Sequence, residues 1–305
     1  MANEHGVIVV HKPAGMTSHD CVMRIRRLFG TKRAGHTGTL DPDVTGVLPI
    51  CLGNATRIVE YLQELPKTYE AVLRLGSTTT TEDASGEVME QRDVDPAQIT
   101  LERVEAVFQQ FLGEIEQIPP MYSAVKVGGK RLYHLAREGV TVERKARKVT
   151  IYELKLLQIS TEDHAEITFA CTCSKGTYIR TLCVDLGRAL GYPAHMHKLV
   201  RTASGPFTLQ DAVPLEQLEA MAQQGEDMSR LLIPIADALA WLPRVDVAPA
   251  RKKAVLNGLE TALPGTDLPE GTLVRVFADD QLLGLHRICY GSKGAFAKAE
   301  KVFTV

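Results

Sequence analysis

Hydrophobic positions recur along this chain with two periods, and the switches between them set the expected order of elements. Val7, Ile8, Val9 and Val10 form an apolar run that reads as a strand and stops at the turn Lys12-Pro13-Ala14-Gly15. Thr17 or Ser18 then caps a helix over roughly 20–29, with Cys21, Ile25 and Leu28 on one face and Arg24 and Arg27 on the more polar side. Asn54 is placed to cap a second helix whose buried stripe is Ile58, Leu62 and Leu65. Over 69–76 the period falls to two. Tyr69, Ala71, Leu73 and Leu75 point inward, and Glu70, Val72 and Arg74 point away.

The polar run 78–86 reads as an exposed loop. Thr100 caps a helix that turns Leu101, Val104, Phe108 and Phe111 to the core and ends by Gly113. Ile118-Pro119-Pro120-Met121-Tyr122 then interrupts regular structure ahead of a charged, mobile excursion with Gly128-Gly129 and a short helical stretch over 132–137. Strand patterns return at 149–159 and 165–173. Ser174-Lys175-Gly176-Thr177 opens a helix carrying Ile179, Leu182, Leu186 and Leu190, and helical patterns continue over 215–239. Beyond Trp241-Leu242-Pro243 the segments 272–277 and 281–290 predict a hairpin turned at Asp279-Asp280, so a boundary is set near Arg244. Adjacent hairpin-like strands, rather than regular βαβ alternation, predict an α+β fold.

Composition narrows the class. The 305 residues, 45% of them hydrophobic, suffice for about two domains with a sizeable core. No apolar run approaches the ~20 residues of a membrane span, and the opening MANEHGVIVVHKP lacks the basic-then-apolar pattern of a secretory signal, so a cytoplasmic location is expected. Six cysteines occur without a CxxC pair or zinc-ligand spacing, which implies neither disulfides nor metal. Cys171 and Cys173 continue the alternation of Ala165, Ile167 and Phe169 and are expected as core residues. The net charge of −2 hides local clusters. Arg24, Arg26, Arg27, Lys32 and Arg33 stand together without an acid, and 126–148 holds eight Lys or Arg against Glu138 and Glu143. Such patches suit a phosphate backbone, although a solvated face has the same composition.

Candidate chemistry centres on 35–53, GHTGTLDPDVTGVLPICLG. Gly35, Gly38 and Gly46 allow tight turns, and Pro42 biases Asp41 away from helix, so the carboxylate sits on a stiff loop. By itself the loop equally suits an Asx turn in which Asp41 caps its own backbone. Read whole, the segment resembles the catalytic motif of the pseudouridine synthases, in the TruB-type branch that modifies the T-loop of transfer RNA. His36, Thr37, Gly38, Leu40, Asp41, Pro42, Thr45, Gly46, Leu48, Pro49 and Gly53 carry the match. Lys12-Pro13-Ala14-Gly15-Met16-Thr17-Ser18 is similar to the family's N-terminal motif, and Gln117 to Ala124 with Gly129-Lys130 and Leu132-Tyr133 to its RNA-binding thumb.

The resemblance implies a mixed, largely antiparallel sheet with flanking helices over 1–243, a basic thumb insertion at about 124–148, and a small β-rich PUA-like domain over 244–305. It implies that uracil leaves the ribose through N1 and rejoins through C5, with no cofactor. Asp41 becomes the nucleophile or base, Arg180 its ion-pair partner and Tyr69 the stacking ring. Tyr178 and Leu199 line the uracil pocket, and His36 fills the space of the flipped base. Lys12 and Pro13 support the site, while Lys130 and Arg131 contact RNA. The expected partner is the T-stem and loop of tRNA, met by a monomer with no protein partner. Two other readings stand beside this one: an RNA-binding or RNA-folding protein with incidental chemistry, and a guide-RNA-dependent synthase that shares the Asp loop.

Overall fold

A computed structural model describes residues 5–123, 125–140, 142–292 and 294–303. Its first strand, Gly6–Lys12, explains its own unbroken hydrophobicity. Val7 and Val9 pack with Ala55, Ile58 and Leu62, whereas Ile8 and Val10 pack with Cys21, Ile25 and Leu215. A strand covered on both faces has no polar side to alternate with. It pairs antiparallel with Thr45–Leu52, which is buried over nearly its whole length.

Both belong to a ten-stranded sheet. Its path runs Val213–Pro214, Gly6–Lys12, Thr45–Leu52, Ala194–Ser204, Lys67–Leu75, Glu166–Cys173, Arg147–Ser160 and Gly113–Gln117, with Ala34–His36 and Phe207–Thr208 attached to the side. Among the described residues only two neighbouring pairs on that path are parallel, at Val10 with Val213 and at Val200 with Thr45. The mixed, largely antiparallel sheet expected of the sequence is therefore present.

The far half of the sheet is covered on one face, and there the period of two survives. Ala71, Leu73, Leu75, Ile167, Phe169, Cys171 and Cys173 meet the helices Leu101–Gln110 and Ile179–Ala189, and Phe108 sets its ring edge-on to Phe169 at 5.6 Å. Cys171 and Cys173 are buried there as core residues.

Several expectations need correction. Leu101 is 51% exposed, because the first residue of its helix overhangs the sheet, and Val107 takes the core position instead. That helix stops at Gln110, and Gly113, at φ +86°, starts the edge strand Gly113–Gln117. Gly53, at φ +56°, leads into a 3-10 stretch, Gly53–Ile58, so the second α-helix begins only at Val59 and has no side-chain cap. The 215–239 segment breaks at Gly225 and Pro234 into Leu215–Gln223, Ser229–Leu231 and Ile235–Ala238. Within 78–86, Thr79 is buried, and the loop is laced to the sheet by hydrogen bonds from Ala84 N–H to the Met196 carbonyl and from Met196 N–H to the Glu82 carbonyl.

A five-stranded sheet follows from Arg244–Asp246, Leu273–Ala278, Gln281–Gly291, Gly294–Val302 and Thr261–Ala262, including the hairpin turned at Asp279, φ +52°. It packs directly against the part of the chain that holds the ten-stranded sheet. Leu285 and Phe303 join the cluster of Ala55 and Ile58, Tyr61 donates its hydroxyl hydrogen to Glu300 at 2.7 Å, and Lys301 pairs with Glu60 at 2.8 Å. Among the described residues no helix is long and apolar enough to cross a membrane.

Candidate active site

Asp41 lies in the connection between Ala34–His36 and Thr45–Leu52, two strands hydrogen-bonded to each other in register His36 with Ile50. The loop between them is therefore short-circuited at its base, and its interior is pinned residue by residue. Leu40 N–H donates to the Ser18 hydroxyl at 2.8 Å, and that hydroxyl donates back to the Leu40 carbonyl at 3.1 Å. The Pro42 carbonyl accepts from Lys12 Nζ at 2.7 Å and from Gly15 N–H at 3.0 Å. Val44 N–H closes a turn onto the Asp41 carbonyl, so the Asx-like tightness of the segment is real and leaves the carboxylate free to point elsewhere.

It points at Arg180. Asp41 Oδ2 stands 3.0 Å from Arg180 Nη2. The arginine is 5% exposed in the first turn of Ile179–Ala189, a place where a cation opposes the helix dipole. A second carboxylate compensates: Asp83 Oδ2 lies 3.6 Å from Nη1. The same two nitrogens also donate to backbone, Nη1 to the Thr81 carbonyl at 3.0 Å and Nη2 to the Tyr122 carbonyl at 2.9 Å. Asp83 is in turn oriented by Thr81 and Ser85, which donate to its other oxygen. Asp41 keeps 45% of its side-chain surface open, yet the concave surroundings are crowded enough that desolvation outweighs the Arg180 charge. Its pKa is raised from the ordinary aspartate value.

Tyr69 stands on Lys67–Leu75, two strands on from Thr45–Leu52, paired with Arg201 on one side and Cys171 on the other. Its phenol lies near the Arg201 guanidinium, and burial pushes it up to about 12 against the pull of that cation. Leu199 is buried in the cluster that also holds Leu40 and Val44, with Tyr69 packed against it. Tyr178 is the residue before the Ile179–Ala189 helix; its N–H and carbonyl are bracketed by the Gln117 side-chain amide at 3.0 and 3.2 Å. His36 accepts from Gly38 N–H at 3.2 Å, and burial, assisted by Arg201, lowers its pKa, so it is neutral at pH 7. Lys12 is wholly buried and also donates to the Pro13 carbonyl at 2.8 Å.

The structure thus gathers Asp41, Arg180, Leu199, His36, Lys12 and Pro13 around one loop; Tyr69 pairs with Arg201, which reaches that loop, and Tyr178 is placed through its backbone, just before the helix of Arg180. Lys130 remains apart, itself exposed and 3.6 Å from Glu138, and the side chain of Arg131 lies outside the described residues. Asp83 and Arg201 escaped the sequence reading as site residues, and Gln117, read there only as part of the thumb motif, instead brackets Tyr178. Among the described residues no group of three or more His, Cys, Asp or Glu is placed to hold a metal ion.

Residues 26–179 match the model of the TruB family pseudouridylate synthase N-terminal domain. The chain belongs to the TruB family. Residues 180–240 match the model of the tRNA pseudouridylate synthase B C-terminal domain, so the family's two matches meet at Arg180. The TruB relatives include a tRNA pseudouridine synthase B of Geobacillus kaustophilus, 56% identical over 85% of this chain and 91% of the relative. Another, of Geobacillus thermodenitrificans, is 49% identical over 98% of this chain and 99% of its own length. Among solved structures, a chain of an H/ACA ribonucleoprotein bound to a substrate RNA containing 2′-deoxyuridine superposes with a TM-score of 0.75 at 28% identity, covering 99% of this chain and 86% of that one.

Proposed function

We propose that this TruB-family chain isomerises uridine-55 in the T-loop of tRNA to pseudouridine, as a cytoplasmic monomer with no cofactor or protein partner. The observation that carries the reading is the ion pair of Asp41 with the buried Arg180, mounted on a loop that the sheet holds rigid. The target nucleotide is flipped out of the RNA, because its glycosidic carbon is unreachable inside a stack. Asp41 acts on the exposed nucleoside as nucleophile or base. Its raised pKa reflects crowded surroundings that desolvate the carboxylate in part, and Arg180 favours its ionised form. Tyr69 offers its ring to the base, and such stacking, ~1 to 3 kcal/mol, is comparable with the cost of extrusion. Tyr178 and Leu199 bound the uracil pocket, and neutral His36 occupies the gap left in the RNA. Uracil then turns and rejoins the sugar through C5; C5 gives up its hydrogen as a proton and N1 takes one up, so the net change is an isomerisation.

The same reading assigns 1–243 to catalysis, the basic 124–148 segment with Lys130 and Arg131 to the RNA backbone, and 244–305 to a PUA-like RNA-binding domain. The similarity to an H/ACA chain gives the guide-dependent alternative its one support. Mapping pseudouridine in bare T-arm RNA incubated with the purified chain tests both: product at position 55 is expected, and product only with added guide RNA and proteins would overturn the standalone reading.

A further inference from the structure

Arg201 is among the largest side chains in the molecule with no exposed surface, and it is held there without a countercharge. Arg180 meets Asp41 and Asp83, but among the described residues the ionisable group set against Arg201 is the Tyr69 phenol. A buried guanidinium without a carboxylate is costly, and its hydrogen bonds have to justify its place. The contacts of Arg201 run to three separate pieces of the site. Nε donates to the Val47 carbonyl at 2.7 Å, Nη2 donates to the Gly38 carbonyl at 3.2 Å, and the strand pairing sets the residue opposite Tyr69, whose phenol lies against the guanidinium. Gly38 and Val47 flank the Asp41 loop on its two sides.

The backbone of Arg201 is fixed as firmly as its side chain. Gly46 pairs with it in the parallel contact of Thr45–Leu52 with Ala194–Ser204, at φ +109°. A Cβ on Gly46 would come within 2.2 Å of the Arg201 carbonyl oxygen, so the two strands approach as only glycine allows. Tyr69 itself is partly exposed, while its cross-strand partner Arg201 has no exposed surface.

Resting on the isomerisation reading above, we propose that Arg201 is a positioning residue of the reaction: its planar fork ties the stacking ring of Tyr69 to both ends of the Asp41 loop. Ring and carboxylate then keep one separation while uracil is detached from the sugar. That interval is when position matters most, because the base has no covalent bond to guide it back and must present C5 in place of N1. A lysine offers a point charge on a flexible stem and cannot hold three diverging contacts.

The test is Arg201→Lys, with single-turnover rate at saturating T-arm RNA, RNA affinity and thermal melting measured beside the wild-type chain. The rate falls about 10²-fold, while affinity and melting stay at the wild-type level. An unchanged rate overturns the inference, and so does a rate loss matched by an equal loss of affinity, which marks general disorder of the RNA site. If Arg201→Lys does not fold, Tyr69→Phe carries the test, since it removes only the hydroxyl of the phenol that lies against Arg201: rate falls with affinity kept, and a wild-type rate overturns the tie. A wild-type chain that forms no pseudouridine overturns the functional reading and this inference together, whereas an active wild type beside an equally active Arg201→Lys overturns this inference alone.

Discussion

The Asp41 loop and the 124–148 segment both lack long regular elements, yet they are held by opposite means. The loop is closed at its base by paired strands and pinned inside by Ser18, Lys12 and Arg201. The basic segment is held by the buried Leu132 and Leu135 and by Arg144 on the Pro119 carbonyl, while Lys130 stands 64% exposed. The difference follows from what each does in the proposed reaction. Bond-making tolerates errors well under an ångström, so its groups are built into the sheet. Attraction to phosphates acts over about 10 Å at 0.1 M salt and needs charge more than fixed placement.

Substitutions in the two places must then separate chemistry from binding. The largest effect is expected of Asp41→Asn, which leaves pseudouridine formation undetectable while a filter-binding assay finds tRNA affinity kept; turnover by this variant would remove Asp41 from its role. Arg180→Lys comes next, with a rate loss on the order of 10²- to 10³-fold at saturating RNA. A wild-type rate there would mean that the loop and its ion pair are no more demanding than the basic segment.

The pH dependence sharpens the same side. Burial raises the Asp41 pKa more than Arg180 lowers it, so the acid limb of the single-turnover profile lies above the ordinary aspartate value of 3.8. Activity is lost as pH falls through that limb. Arg180→Gln removes the charge that lowers it and moves the limb further up; a limb that stays put would show that Arg180 does not act on Asp41 electrostatically. The smallest effect on rate belongs to Lys130→Gln with Arg131→Gln. Affinity weakens and the slope of log K against log salt becomes shallower by about one to two units, with the saturated rate unchanged. A loss of saturated rate equal to that of Arg180→Lys would erase the distinction.

How much of this was legible beforehand depended on whether the information is local. The stiff loop, the inward Tyr69 and the hairpin at Asp279 follow from residues next to one another, and Asp41 with Arg180 came through an extended motif. Asp83 sits in a run of threonines and acids that reads as solvent-facing, and its value comes from an arginine 97 positions away, across a contact no periodicity reports. Arg201 was hidden for a different reason. Its strand, Ala194–Ser204, slips register between Met196 and Lys198 and again between Arg201 and Ala203, which destroys the period of two that would have revealed a central strand. The bracketing role of Gln117 escaped because the residue lies beside two prolines and acts on the backbone of Tyr178, sixty-one residues on.

The seat of the C-terminal sheet has its own consequence. Phe303 packs with Ala55 and Ile58, the Arg275 guanidinium donates to the carbonyls of Ala236, Ala240 and Leu242, and Glu300 accepts a hydrogen bond from the Tyr61 hydroxyl. Cutting the chain near 243 would strip a greasy patch bare and leave three carbonyls without their donor. A shortened protein would thus turn sticky before it turned slow, and its failure would speak of lost shelter as loudly as of lost grip on RNA.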